Sequence, residues 1–194
     1  MRKIFVIGNI GSGKSTFCKL LNEELTKLGR AVVSLDLDKV SLEISKNSQI
    51  VDALTKEFGK FEGREDLARI VFKDRGALKR LTDITHPMIY AQMLEAFKRN
   101  EKMGADYTIV EETAYTGKND KFAKHADILV CVICDDGLRQ ARCIEKGLHI
   151  VDFAQRQSFQ MSQISMMQDA DIIINNNNDA QSLREKVINF IESF

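Results

Sequence analysis

Two regimes of apolar patterning divide the chain. Five short runs are apolar with little alternation: KIFVI (3–7), AVVSL (31–35), YTIVE (107–111), DILVCVI (127–133) and DIIIN (171–175). Runs of this kind predict strands covered on both faces. Between them the spacing becomes helical. From Lys14 to Leu28, residues Phe17, Leu20, Leu21, Leu25 and Leu28 fall on one face, and the pattern stops at Gly29, a residue suited to ending a helix. Strand–helix alternation predicts an α/β fold whose five strands form a parallel sheet flanked by helices, with right-handed crossovers.

The interval between the second and third strands is long, about residues 40–104, and reads as all-helical. Arg64 to Lys73 carries Leu67, Ile70, Val71 and Phe72. A helical pattern continues from Ala77 to Ile84, and His86–Pro87 predicts a break. The pattern resumes from Met88 to Arg99 with Met88, Ile89, Met93, Leu94 and Phe97. Such an insertion beside the strand ends would either cover a substrate or add packing. The last helix spans Ala180 to Phe194, and Asn175–Asn178 reads as a strand-end loop.

The chain has 194 residues, 44% hydrophobic and 29% charged, which fits one domain (1–194) with an ordinary core. Formal net charge is zero, so nothing global draws nucleic acid or an anionic membrane. No apolar run approaches the roughly 18 residues that span a bilayer. The opening MRKIFVIGN is too short in apolar residues for a signal peptide. Cys131 and Cys134 form a C-x-x-C within ILVCVIC, with no second pair or histidine set, and are expected to be buried thiols like Cys18 and Cys143. A reducing cytoplasm is the expected compartment. Monomer or weak oligomer is the expected state.

One motif carries chemistry by itself. Gly8-x-x-x-x-Gly13-Lys14-Ser15 follows a strand and opens a helix, the context that a phosphate-binding P-loop requires. Its glycines let successive N–H groups converge on an anion. The helix that follows adds the positive end of its dipole. Lys14 reaches β- and γ-phosphates, and the Ser15 hydroxyl suits Mg²⁺. Asn9, Gly11, Ser12, Gly13, Lys14, Ser15 and Thr16 are the candidate nucleotide-binding residues. No N-K-x-D string reads guanine, so the expected donor is ATP. The second strand runs into LDLDKV, placing Asp36 and Asp38 where open α/β sheets bind ligands. A carboxylate there accepts a hydroxyl proton or holds Mg²⁺.

At this point the chain resembles a family. LDLDKV is similar to the D-x-D-x-[IV] element of dephospho-coenzyme A kinases. Phe58-Gly59, Gly63-Arg64, Leu67, Val71-Phe72 and Ile84-Thr85-His86-Pro87 reproduce that family's F-G … R … L … V-F … H-P order. Ala154-Gln155-Arg156 with Gln160 resembles its A-x-x-R-I-x-x-Q element, and Asp169-Ala170-Asp171, Ile173 and Asn175 resemble A-D-x-[VI]-I-x-N. The resemblance implies an ATP-dependent kinase acting on a small molecule, the ribose 3′-hydroxyl of dephospho-coenzyme A. It implies a helical substrate-binding insertion at about 40–104 and a lid at about 137–160. It makes Asp38 the base and, with Ser15, the metal site. It adds Asn175 to the nucleotide site and Asp36, Arg64 and His86 to the acceptor site.

The lid needs cations for charge that builds on the transferred phosphoryl group. The family's R-x-x-x-R is met by Arg142 and by Lys146, which keeps the charge and loses the bidentate fork. Arg139 or Arg156 would share that contact. After the third strand the family's D-V-P-L-L-F-E is replaced by Val110-Glu111-Glu112-Thr113-Ala114-Tyr115-Thr116-Gly117. Glu111 and Glu112 there would reach Mg²⁺ indirectly, bind a sugar or repel an anion. Two other readings stay open: a divergent kinase for a nucleoside, nucleotide or other hydroxylated acceptor, and an ATP-binding module without transfer chemistry.

Overall fold

The computed structural model describes residues 1–71 and 74–193. Phe72 therefore lies outside the described residues. Five strands, β1 (Arg2–Ile7), β2 (Val32–Asp36), β3 (Tyr107–Glu111), β4 (Ile128–Ile133) and β5 (Ile172–Asn175), form one sheet in the order β2-β3-β1-β4-β5. Every neighbouring pair is parallel, as expected from the alternation. The chain forms two compact units, one of Met1–Asp36 with Ala96–Phe194 and one of Leu37–Glu95.

In the first unit the sheet is held by an apolar cluster that includes Ile4, Val6, Ile109, Val130 and Val132 from strands. Helix α1 (Lys14–Lys27) contributes Phe17, Leu21 and Leu25 to it, and the last helix, Ala180–Glu192, contributes Leu183, Val187 and Phe190. The Phe17 and Phe190 rings meet at 5.9 Å. Arg184 ties the same two helices by ion pairs to Glu23, at 2.9 Å, and to Glu24. Full coverage on both faces holds for the middle strands, Ile4 to Ile7 being wholly buried. It does not hold for the outer ones: β2 is half-buried, and Ile173 of β5 is 45% exposed. Each outer strand has a neighbour on one side only.

Three aspartates mark the start of the sheet. Asp106 accepts from the Ala31 N–H at 2.8 Å, Asp127 from Lys3 N–H at 2.6 Å, and Asp171 from Leu129 N–H at 2.8 Å. Each caps a backbone donor of the adjacent chain segment.

The second unit contains α2 (Leu37–Ile44), α3 (Ser48–Phe58), α4 (Arg64–Val71) and most of α5 (Arg75–Lys102). Asn47 caps α3 by accepting from Gln49 N–H at 3.0 Å. Arg80 pairs with Glu57 at 2.6 Å, its guanidinium lying 5.9 Å from the Phe58 ring. The break expected at His86–Pro87 is absent: Pro87 lies inside a 28-residue helix. One interior proline costs about 3 kcal/mol. Burying a large apolar side chain returns about 1.5–3 kcal/mol, and Ile89, Met93 and Phe97 are all buried beyond it. Continuity therefore wins. The other α-helices among the described residues are α6 (Asp136–Glu145), α7 (Ile150–Phe159), α8 (Gln163–Asp169) and α9 (Ala180–Glu192).

Candidate active site

The loop from Gly8 to Gly13 joins β1 to α1 at the carboxyl end of the central strand. The strand order reverses here, since β3 lies on one side of β1 and β4 on the other. Open α/β sheets bind ligands at such a point. Gly13 is the N-cap of α1, with left-handed dihedrals and no side-chain cap, so the first amides of the helix are left for an anion. Lys14 is buried and folds back over the loop, its Nζ donating to Asn9 O at 3.3 Å. Ser12 N–H closes the turn onto Asn9 O at 3.1 Å.

The loop is fastened from outside. Asn9 Nδ2 donates to Met161 O at 2.9 Å, and Ile10 N–H donates to Gln160 Oε1 at 2.9 Å. Buried Asn176 donates through Nδ2 to Ser12 O at 2.8 Å. Its amide is packed so closely on Gly13 that a Cβ there would collide with it. Asn175, the residue favoured by sequence, is exposed and accepts from Asn177 N–H at 3.0 Å. Nothing in the run of four asparagines distinguishes the buried one. Asn9 Oδ1 and Ser12 Oγ have no hydrogen-bond partner among the described residues.

Carboxylates gather beside the loop. Glu111 ends β3 and stands in register with Asp36 of β2 on one side and Val6 of β1 on the other. The Ser15 hydroxyl donates to Glu111 Oε1 at 2.6 Å. Burial pushes the neighbouring Cys18 thiol well up, and the Glu111 charge adds to the rise. A hydroxyl and carboxylate oxygens at this spacing are the hard donors Mg²⁺ takes, so the residues fit that ion. Glu112 is buried, and Tyr115 is buried with its hydroxyl on Asp169 Oδ2 at 3.1 Å. Burial, reinforced by that contact, raises the Tyr115 pKa. Asp120 gathers Thr116 Oγ1 at 2.7 Å and Phe122 N–H at 2.8 Å. The polar loop after β3 is thus fastened both to its own Asp120 and, through Tyr115 and Thr113, to Asp169 and Gln160.

The basic segment 137–160 separates its cations by burial. Arg139 is buried: Nη1 donates to Ile10 O at 3.0 Å, Nη2 donates to Asp136 Oδ1 at 2.7 Å, and the guanidinium lies 5.7 Å from the Phe153 ring. The bond to Arg139 holds the Asp136 carboxyl below its ordinary pKa. Half-buried Arg142 reaches Cys134 Sγ at 3.3 Å and Asn178 O at 3.4 Å. Lys146, just past the end of α6, and Arg156 are exposed. In the second unit, Asp38 is exposed in the first turn of α2, Arg64 is exposed at the start of α4, and His86 is half-buried in α5. All four cysteines are free and buried, and no candidate metal cluster of histidine, cysteine or acid occurs among the described residues. No helix among them is long and apolar enough to cross a membrane.

Comparison with known proteins bears on the family and the fold. The family model for dephospho-CoA kinase matches residues 3–182. A dephospho-CoA kinase of Aquifex aeolicus is 31% identical over 195 residues, covering 96% of this chain and 94% of its own. One of Corynebacterium jeikeium is 32% identical over 200 residues, covering 98% of each. A crystal structure of TT1252 from Thermus thermophilus superposes with a TM-score of 0.78 at 25% identity, covering 100% of this chain and 97% of that one. This chain belongs to the dephospho-CoA kinase family.

Proposed function

We propose that the protein transfers the γ-phosphate of ATP to the ribose 3′-hydroxyl of dephospho-coenzyme A. The observation that carries this is the pairing of a family match over residues 3–182 with a P-loop whose lysine, serine and neighbouring carboxylate stand together. The nest from Asn9 to Thr16 grips the triphosphate, with Lys14 on the β- and γ-oxygens. Ser15 and Asp38 would hold Mg²⁺, with Glu111 reached through water, and the ion would neutralise charge on those oxygens. Asp38 accepts the proton of the attacking hydroxyl. Arg142 and Lys146, in a lid at about 137–160, face the charge that builds on the transferred group. Asn175 borders the nucleotide. Asp36, Arg64, His86, Glu111 and Glu112 meet the acceptor, with the insertion at about 40–104 enclosing it. The expected setting is the cytoplasm, as a monomer or weak oligomer.

The family match over residues 3–182, with relatives that are dephospho-CoA kinases at 31–32% identity, supports this acceptor over a nucleoside. A coupled ADP-release assay across dephospho-coenzyme A, nucleosides and nucleotides tests the reading. Turnover with dephospho-coenzyme A, abolished in Asp38→Asn and lowered together with ATP affinity in Lys14→Ala, is the expected result. ADP release with nucleosides alone, or ATP binding without turnover, would refute it.

A further inference from the structure

Arg139 of the first unit carries a guanidinium 2% exposed, with Nε lacking a hydrogen-bond partner among the described residues. Burying a charge carries a heavy desolvation penalty, and an apolar side chain of similar volume would anchor α6 at lower cost. The compensation is specific: Asp136 takes Nη2, the Phe153 ring lies 5.7 Å away, and the Ile10 carbonyl takes Nη1 at 3.0 Å. Gln157 Nε2 steadies the other Asp136 oxygen at 3.4 Å. Ile10 is a residue of the phosphate loop, and its own N–H is held by Gln160.

A trans peptide unit points its carbonyl and the next N–H in opposite directions. Fixing Ile10 O on Arg139 therefore fixes the Gly11 N–H away from it. Gly11 has φ +78° and lies so close to α6 that an added Cβ would sit 2.5 Å from Arg139 O and 2.9 Å from Cys143 Sγ. The same helix turn thus holds both ends of this peptide. Without the guanidinium, the Ile10–Gly11 unit would be free to rotate and offer a carbonyl oxygen where an anion needs an amide.

We propose that Arg139 is a positioning residue that sets the Ile10–Gly11 peptide so that the Gly11 N–H faces the phosphates, a role that rests on this loop taking ATP. It acts through the loop and does not itself touch the transferred group. The test compares wild type, Arg139→Met and Arg139→Lys by calorimetric ATP titration and by kcat and KM for each substrate. Arg139→Met should lose about tenfold in ATP affinity, as expected for a bond to a charged donor, with KM for dephospho-coenzyme A unchanged. Arg139→Lys, still able to reach the carbonyl, should recover most of that loss. A folded Arg139→Met with wild-type ATP affinity and kcat overturns the inference, as does an equal change toward both substrates. If Arg139→Met fails to fold, Arg139→Gln, too short for the carbonyl, is compared with Arg139→Lys; equal ATP affinity in those two overturns it. No ATP binding by the wild type overturns the proposed function together with this inference, whereas wild-type binding with an unaltered Arg139→Met overturns this inference alone.

Discussion

Gly13 and Asn176 form a pair whose coupling can be worked out in advance. Gly13 has φ +96°, and a Cβ there would collide with the Asn176 amide. Gly13→Ala thus meets two costs. The left-handed backbone costs alanine about 1–2 kcal/mol. Displacing the amide breaks its 2.8 Å bond to Ser12 O, and a buried acceptor left unmet costs about 1–3 kcal/mol. Asn176→Ala incurs only the second cost. In the double variant the collision is gone and the lost bond is counted once, so the two changes should fall short of additivity by about 1–3 kcal/mol. Urea denaturation of the four proteins gives the cycle in stability, and ATP titration gives it in affinity. Additivity within about 0.5 kcal/mol in both would refute the contact and the account of how the helix start is held.

Three further outcomes follow from the same site. Glu111→Gln keeps an acceptor for Ser15 and removes the charge, so the Mg²⁺ concentration for half-maximal activity should rise about tenfold, measured by magnesium titration of the ADP-release rate. Lys146→Ala should lower kcat about tenfold with KM for ATP nearly constant; an unchanged kcat removes Lys146 from the lid role. The His125 pKa is held below its ordinary value by burial, with Lys124 and Lys3 repelling the proton. The unfolded chain then takes up that proton first, so the contribution is full above about pH 6.5 and is lost as pH falls below it. Tm measured from about pH 7.5 to about pH 5.5 should fall less in His125→Gln than in wild type.

What could be read from the sequence was local, and what could not be read was decided by tertiary neighbours. The P-loop signal is legible from β1 through Ser15, because strand end, glycines, lysine and helix start follow one another directly along the chain. The middle strands were legible for the same reason: burial on both faces leaves one uninterrupted apolar run. Pro87 misled because propensity is local while the burial that outweighs it belongs to Ile89, Met93 and Phe97. Asn176 was hidden by its identical neighbours, since only the chain's turn past β5 decides which amide faces Ser12. Arg139 is the most instructive case. In sequence Arg139 reads as one of a lid set with Arg142 and Lys146, and periodicity gives no reason to expect one of them inside. Burial is set by how close α6 approaches Gly11, and that approach depends on a glycine more than a hundred residues earlier having no side chain. The two positions therefore constrain each other. A side chain at Gly11 would push α6 away and take Arg139 off Ile10, so Gly11→Ala should reproduce the ATP-affinity loss of Arg139→Met, and combining the two should cost little more than either alone.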